Sequence, residues 1–155
     1  MNLRESLTHN KVASLPLLAP LQVGPRGTVG EAIALMQTRR EGCVVVAELG
    51  RPVGMFTERD VLKKVLARAL PADTPIVDVM SRDPAVVQVD DSVAQVIRRM
   101  DAGGFRHVPV VDAAGRLQSV LSVKRIVEYL VEHFPRAVFN LPPEPDQKQT
   151  AREGA

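Results

Sequence analysis

The sequence is poor in the residues on which many binding and catalytic functions depend. Its 155 residues include one cysteine, no tryptophan and only 3% aromatic residues. A lone Cys43 excludes an internal disulfide and a zinc site built from cysteines, and it indicates a reducing compartment. The scarcity of aromatic side chains argues against a stacking surface for single-stranded nucleic acid.

Long hydrophobic runs and a strong net charge are missing as well. No apolar run approaches the roughly 20 residues that a membrane-spanning helix needs. Lysine and arginine total 20 against 18 acidic residues, and they lie in scattered pairs along predicted helices. Such pairs are typical of solvated helix faces rather than of a nucleic-acid patch. The sequence therefore predicts a cytoplasmic protein that binds neither a membrane nor a nucleic acid.

Motifs that would indicate an enzyme do not occur either. The three histidines, His9, His107 and His133, show neither the spacing of metal ligands nor a carboxylate partner. There is no G-x-S-x-G sequence, no Walker sequence and no G-x-G-x-x-G sequence. We therefore expect no enzymatic activity, no required cofactor and no metal site.

An internal repeat is the strongest signal that the sequence does contain. Shifting the chain by 64 residues places Val29 on Val93 and Met36 on Met100. One inserted residue near Gly115 then changes the offset to 65, so that Thr57 meets Ser122. A repeat of about 60 residues means that two similar structural units are joined in one chain.

Each unit predicts the element order β-α-β-β-α. Apolar residues spaced by three and four mark the helices, and nearly continuous apolar runs mark the inner strands. The segments are PLQV, GEAIALM, CVVVA, PVGMF and ERDVLKKVLARAL in the first unit, and PAVVQV, AQVIRRM, HVPVVD, LQSVL and VKRIVEYLVEHF in the second. The predicted fold class is α/β (α+β), with small sheets covered by helices and two units packed pseudo-symmetrically. The predicted boundaries are a loosely held arm at 1–11, repeats at 12–70 and 75–135, and a partly disordered tail at 136–155.

These segments resemble a known family of regulatory domains. The repeated opening P-x-x-V-x-x-x-x-[TS]-V, the turn GMFTERD, and the segments DVMSRDP and GFRHVPVVD resemble those of a tandem pair of CBS domains, also called a Bateman module. The resemblance covers roughly residues 10 to 135. It implies a regulatory module for AMP, ADP or ATP, with S-adenosylmethionine or NAD as further possibilities, and it implies assembly into a homodimer.

The turn after the second strand of the first unit is the central candidate site. Gly54 lets a ligand approach the backbone closely, and the Thr57 hydroxyl can bond a phosphate or ribose oxygen. Asp60 can accept both hydrogens of a cis-diol. The family places a Thr and an Asp at the matching positions on ribose and phosphate. The alternative is a helix cap, because Thr-x-x-Asp resembles a capping box and the chain has similar pairs at Thr28 and Ser92.

The corresponding turn of the second unit departs from the motif. Ser119 replaces the glycine, Ser122 keeps the hydroxyl and Arg125 replaces the acid. A guanidinium has no acceptor, so it cannot receive the hydrogens of a diol. We interpret the second ribose site as vacant or altered, with Arg125 supplying charge to phosphates of a nucleotide in the first site.

The resemblance adds residues beside these two turns. Arg106 and His107 precede the second inner strand, where the family often places basic side chains toward phosphate; an exposed arginine and a hydrogen-bonded histidine are the alternative. Ser81 lies in the linker, either near the ligand or as an ordinary linker serine. The candidate ligand residues are thus Gly54, Thr57, Asp60, Ser81, Arg106, His107, Ser122, Lys124 and Arg125. Cys43 is interpreted as a small buried hydrophobe.

Two functions follow from the sequence. The first is a stand-alone sensor that binds an adenosine nucleotide between its repeats and signals the energy or metabolite state to an unidentified protein partner. The second is a ligand-free dimerisation or scaffold protein. The altered second turn and the FNLPP segment of the tail favour the second function. Loss of nucleotide binding in an Asp60→Ala variant distinguishes the two.

Overall fold

A computed structural model of the chain describes residues 2–134, so the predicted tail at 136–155 lies outside the described residues. Five helices and seven strands make up this part of the chain. The helices are α1 (Leu3–His9), α2 (Val29–Arg39), α3 (Glu58–Asp60), α4 (Val93–Gly103) and α5 (Val123–His133). The strands are β1 (Gln22–Val23), β2 (Cys43–Glu48), β3 (Arg51–Thr57), β4 (Ser81–Arg82), β5 (Val87–Gln88), β6 (His107–Val111) and β7 (Leu117–Ser122).

The strands form two small sheets, one for each repeat. The first sheet has the order β1-β2-β3-β4, and the second has the order β5-β6-β7. In both sheets the first strand is parallel to the second, and the second is antiparallel to the third. The predicted α/β fold of two β-α-β-β-α units is therefore confirmed.

Each repeat has its own hydrophobic core beneath its helices. In the first repeat, Val44 and Phe56 of the sheet are fully buried with Val29 of α2. In the second, Val108 and Val110 are buried with Val96 of α4. These are the apolar positions that the strand and helix periodicities predict, so each sheet is covered by its own helices.

The N-terminal segment differs from the predicted loose arm. Residues Leu3–His9 form α1, and Asn2 caps it in a complete capping box with Glu5. The Asn10 amide donates to the Tyr129 hydroxyl at 2.9 Å, and backbone bonds join Val12 to Asp91 and Val93 to Asn10. The expectation of a loosely held arm was wrong, because α1 packs against α4 of the second repeat.

Two further features are absent from the sequence-based prediction. Ser81–Arg82 in the linker forms β4, which pairs antiparallel with β3 and extends the first sheet. The helix predicted from Glu58 begins there as α3, but it continues as a π-helix from Val61 to Leu66. Backbone bonds from Ala67 to Leu62 and from Leu70 to Val65 span five residues, as the wider turn requires.

Among residues 2–134, no helix has the length and apolar character needed to cross a membrane.

Short 3-10 helices at Val12–Ser14 and Ile76–Asp78 precede the two repeats' first strands. Val12 and Leu15 belong to the core of the second repeat, although they lie at the start of the first repeat in sequence. The two repeats are thus joined through the N-terminal segment as well as through the linker.

Candidate functional site

Two cavities lie where the repeats meet, and each combines the strand-to-helix turn of one repeat with the start of the inner strand of the other. The first cavity has a volume of about 430 Å³, and the second about 320 Å³. The first cavity is lined by Gly42, Met55, Thr57, Glu58, Arg59, Asp60, Ser81, Pro84, Ala85, Gly104, Phe105, Arg106 and His107. His107 lines both cavities.

The β3–α3 turn of the first cavity forms a complete capping box. The Thr57 hydroxyl accepts a hydrogen bond from the Asp60 backbone N–H at 3.4 Å, and Asp60 Oδ2 accepts from the Thr57 N–H at 3.0 Å. The capping interpretation of this pair is therefore correct. Asp60 is also buried and is among the residues that line the cavity.

A lysine one turn farther along supports the Asp60 carboxylate. The Lys64 ammonium lies 3.1 Å from Asp60 Oδ1 and donates to the Val79 carbonyl at 2.7 Å. The side chain of Asp60 is 11% exposed, and that of Lys64 is 31% exposed. The buried negative charge of Asp60 is thus compensated by an ion pair within the first repeat.

The opposite wall of the first cavity comes from the second repeat. Helix α4 ends at Gly104, whose φ of 67° is in the left-handed region that favours glycine. The chain then turns through Phe105 and Arg106 into β6, which begins at His107. Burial lowers the pKa of His107 below its usual value, although Glu58 and Glu41 oppose this shift.

The second cavity is built from the equivalent positions but carries opposite charges. Ser122 caps α5 by accepting from the Arg125 N–H at 3.1 Å. The Arg125 guanidinium extends across the repeats to Glu41, with Nη2 at 2.8 Å from Oε1. Glu41 follows α2, which ends with Arg40 in the left-handed conformation at φ 53°. Arg125 and Glu41 of the second cavity therefore pair with each other.

The two cavities consequently differ in the charge that their helix turn carries, an acid in the first and a base in the second. In the first, the helix turn supplies the acid Asp60 and the opposite strand start supplies the base Arg106. In the second, the turn supplies the base Arg125 and the opposite strand start supplies the acid Glu41. Within residues 2–134, Arg125 and Glu41 form an ion pair, whereas no ion pair within 4.0 Å involves Arg106.

The structure brings most, but not all, of the candidate residues to these cavities. Thr57, Asp60, Ser81, Arg106 and His107 line the first cavity, and Ser122 and Arg125 line the second. Gly54 lines neither; the Met80 side chain occupies the space where a Cβ at Gly54 would lie. Lys124 is exposed and lines neither cavity.

The expectation that Arg125 supplies charge to a nucleotide in the first cavity is not met by this geometry. Arg125 lines the second cavity, where Glu41 takes its guanidinium. Ser81 reaches the first cavity because β4 pairs with β3, Ser81 lying opposite Met55. The pairing of β4 with β3, rather than any motif around Ser81, brings this serine there.

Several cavity residues escaped the sequence analysis. They are Gly42, Glu58, Arg59, Pro84, Ala85 and Phe105 in the first cavity, and Arg39 and Glu41 in the second. Their positions in the repeat give a usable signal, because Glu41 is equivalent to Phe105 and Gly42 to Arg106 at the 64-residue offset. The pairing of Glu41 with Arg125 gives no such signal, since 84 residues separate the two.

Cys43 behaves as the sequence predicts. It is buried at the start of β2, and it lies opposite Thr57 in the sheet. Burial, together with the negative charges of Asp60 and Glu41, raises its pKa to about 12. The thiol therefore stays protonated and unreactive near neutral pH. Among residues 2–134, no group of three His, Cys, Asp or Glu side chains is placed to hold a metal ion.

Comparison with known proteins agrees with this architecture. A family model described as CBS domain matches the chain twice, at residues 12–67 and 76–132. An uncharacterised 17.7 kDa protein of Acidianus ambivalens is 30% identical over 123 residues, which cover 79% of this chain and 74% of the relative. In matching CBS domain-containing proteins of Arabidopsis thaliana, the chain spans only 21% to 24% of the relative's length.

Solved structures show the same fold. A CBS-domain containing protein of Agrobacterium tumefaciens is 32% identical with a TM-score of 0.64, covering 71% of this chain and 88% of its own. A CBS domain protein of Pyrobaculum aerophilum, complexed with AMP, is 27% identical with a TM-score of 0.70. That similarity covers 79% of this chain and 98% of the Pyrobaculum chain.

Proposed function

This chain belongs to the CBS-domain family, and we propose that it is a regulatory module that binds an adenosine-containing nucleotide of the AMP, ADP or ATP class in its first cavity. This proposal rests on one difference between the cavities: Arg125 and Glu41 of the second form an ion pair, and Asp60 and Arg106 of the first do not pair with each other. The first cavity offers an acceptor for a ribose on one wall and a base for a phosphate on the other. The second cavity has its acid and base already bound to each other at 2.8 Å.

The Asp60 carboxylate supplies the ribose contact. A cis-diol presents two hydroxyl donors, and an ionised carboxylate offers only acceptors. Asp60 is buried, and burial strengthens a charge-assisted hydrogen bond relative to one in water. The Thr57 hydroxyl beside it can donate to or accept from the same sugar or its phosphate.

Basic side chains on the cavity wall supply the phosphate contact. Arg106 comes from the second repeat and Arg59 from the first, and both side chains line the same cavity. A guanidinium can donate two parallel hydrogen bonds to one phosphate. A nucleotide bound between Asp60 and Arg106 would therefore contact both repeats, and its binding would depend on their relative orientation.

The similarity to the Pyrobaculum protein supports the ligand class. That protein was crystallised with AMP, and the similarity extends over almost its whole chain. A first cavity of about 430 Å³ falls within the range of small-ligand sites. AMP is therefore the first ligand to test, followed by ADP and ATP, with NAD and S-adenosylmethionine as further candidates.

Regulation follows from the placement of the ligand between the repeats. A ligand that binds one orientation of the repeats better than another shifts the population toward that orientation. The chain would thereby pass the energy or metabolite state to a protein partner that contacts the changed surface. Linkage requires that the partner in turn alter nucleotide affinity by the same factor.

The competing function is a ligand-free dimerisation or scaffold protein. Its support is that Asp60 already has protein partners in Thr57 and Lys64, so that the turn is stable without a ligand. Isothermal calorimetry with AMP, ADP, ATP, NAD and S-adenosylmethionine separates the two functions.

The calorimetric comparison uses wild type, Asp60→Ala and Arg125→Ala. A ligand with a micromolar dissociation constant has a binding free energy of about 8 kcal/mol. Loss of one charge-assisted contact should lower its affinity by roughly ten- to a hundred-fold. We expect that loss in Asp60→Ala only, because Arg125 lies in the second cavity. Absence of heat from every ligand, with Asp60→Ala merely less stable, would establish the scaffold function instead.

A further inference from the structure

Lys64 contacts one residue of the first cavity wall and the linker segment that leads to another, without lining the cavity itself. Its ammonium lies 3.1 Å from Asp60 Oδ1 and 2.7 Å from the Val79 carbonyl oxygen. Asp60 lies on α3, and Val79 lies two residues before Ser81 of β4. Both Asp60 and Ser81 line the cavity, whereas Lys64 does not. Lys64 therefore reaches the carboxylate from the side away from the ligand space.

The acceptor capacity of Asp60 determines what this contact leaves for a ligand. An ionised carboxylate has about four lone-pair sites. Oδ2 accepts from the Thr57 N–H at 3.0 Å and lies 3.3 Å from the Thr57 hydroxyl, and Oδ1 receives Lys64. One acceptor site of the Asp60 carboxylate remains free. Rotation of the Thr57 hydroxyl away from Oδ2 releases a second acceptor site. Two free acceptors match the two donors of a cis-diol.

The charge of Asp60 also depends on Lys64. The Asp60 side chain is 11% exposed, and a carboxylate that is buried without a partner is costly. Lys64 is the only cation within 4.0 Å of Asp60 among the described residues. Without this cation, the carboxylate would gain by turning toward solvent, and that movement takes the two acceptors away from the cavity.

The hydrogen bond from Lys64 to the Val79 carbonyl fixes the distance between the π-helix and the linker that joins the two repeats. The Lys64–Val79 bond joins the π-helix to the segment that continues through Met80 into β4. Met80 packs in the space above Gly54 of β3. The linker is thereby held at the edge of the first sheet, where Ser81 faces the same cavity as Asp60.

We propose that Lys64 is a positioning residue for nucleotide recognition: it holds Asp60 and the linker together so that the carboxylate presents two free acceptors to the ribose diol. This inference rests on the proposed function of the first cavity. Lys64 does not itself touch the ligand. Its effect should therefore be largest with ligands that carry the intact diol.

The test measures the affinities of AMP and 2′-deoxy-AMP for the full chain by calorimetry. The variants are Lys64→Met, Lys64→Arg and the matched control Lys63→Met, which alters the exposed neighbouring lysine. For Lys64→Met we expect AMP to bind about ten-fold more weakly, as for contacting residues that act as a unit. For 2′-deoxy-AMP, which keeps one of the two hydroxyls, we expect Lys64→Met to weaken binding less than it does for AMP. We expect no change in Lys63→Met, and recovery of most AMP affinity in Lys64→Arg.

Each other outcome overturns the inference in a recognisable way. Unchanged AMP affinity in Lys64→Met would refute it and leave the proposed function intact. Equal weakening of AMP and 2′-deoxy-AMP would show a general structural role and would refute it too. If wild type bound no adenosine nucleotide, both the proposed function and the inference would fall. Should Lys64→Met not fold, Lys64→Gln replaces it, with the same expected dependence on the diol.

Discussion

At the scale of single residues, the two copies of the duplicated turn differ in what their charges are available to do. Asp60 and Arg125 occupy equivalent positions at the 65-residue offset. Asp60 faces the first cavity with a lysine behind it, and Arg125 is bound by Glu41 across the second cavity. The base at this position thus gives the second turn a contact between the repeats that the acid of the first turn does not make.

The titration of His107 should be visible in the pH dependence of the free energy of unfolding. His107 lines both cavities, and Glu58, Glu41 and Arg106 are the charged groups that act on it. Burial lowers its pKa in the folded protein below the unfolded value of 6.5. The unfolded chain therefore binds more protons, and this contribution to stability is lost as the pH falls below about 6.5.

We expect the free energy of unfolding of wild type to decrease on acidification from pH 7, and His107→Gln to show a smaller decrease. Urea unfolding at several pH values measures both. A His107→Gln variant with the same pH dependence as wild type would contradict the assignment.

If phosphate binds beside His107, it favours the protonated ring, and AMP affinity should rise as the pH falls from 7 toward 6.

At the scale of elements, the repeat and the apolar periodicity predict ten of the main helices and strands correctly in type and order. The longer of those elements have apolar residues whose spacing matches their own period, as in α4, where Val93, Val96 and Met100 are buried. The turn motif likewise predicts the Thr57–Asp60 contact, because both residues lie within one helical turn.

The remaining features depend on contacts between distant residues. β4 has two residues and exists through its pairing with β3. α1 is short for an isolated helix, and its packing on α4 stabilises it. The Arg125–Glu41 pair joins residues that are far apart in sequence. Local sequence patterns do not show which distant residues will be in contact. The repeat offset shows which positions of the two repeats are equivalent, but it does not show that two residues touch.

The helix caps offer a test that separates stability from ligand binding. Ser92 and Gln95 form a complete capping box on α4, remote from the residues that line the first cavity. Thr57 forms the equivalent box inside the cavity. We expect Ser92→Ala and Thr57→Ala each to lower the free energy of unfolding by about 1 kcal/mol.

Only Thr57→Ala should also weaken AMP, by several-fold, because only its hydroxyl faces the cavity. Thermal or urea unfolding and calorimetry on the same samples give both quantities. Equal AMP affinity in the two variants would mean that Thr57 serves as a cap alone.

At the scale of the whole molecule, the duplication leaves the same helix face uncovered in both repeats. Leu62 is 64% exposed and Val127 is 49% exposed, and the two positions correspond at the 65-residue offset. Leu66 and Val123 extend the exposed apolar surface on the same two helices. Apolar residues repeated on equivalent helices are well suited to a two-fold contact with a second copy of the chain.

We expect the protein to be a homodimer through this face. Substitution of both Leu62→Glu and Val127→Glu should yield monomers, because it places like charges in an apolar contact. Sedimentation equilibrium measures the mass, and Leu49→Glu is the matched control, since Leu49 is exposed in the β2–β3 turn away from these helices. A monomeric wild type, or a double variant that remains dimeric, would refute this interface.

The most direct test of the central claim is a calorimetric cycle with AMP and 2′-deoxy-AMP on wild type and Asp60→Asn. If Asp60 binds the ribose diol, wild type should bind AMP roughly ten-fold or more tightly than 2′-deoxy-AMP. Asp60→Asn should lose most of that preference. The fitted stoichiometry should be one AMP per chain, because the acid and base of the second cavity bind each other. An unchanged preference for AMP in Asp60→Asn, or two equivalents bound per chain, would contradict the assignment of the first cavity as the nucleotide site.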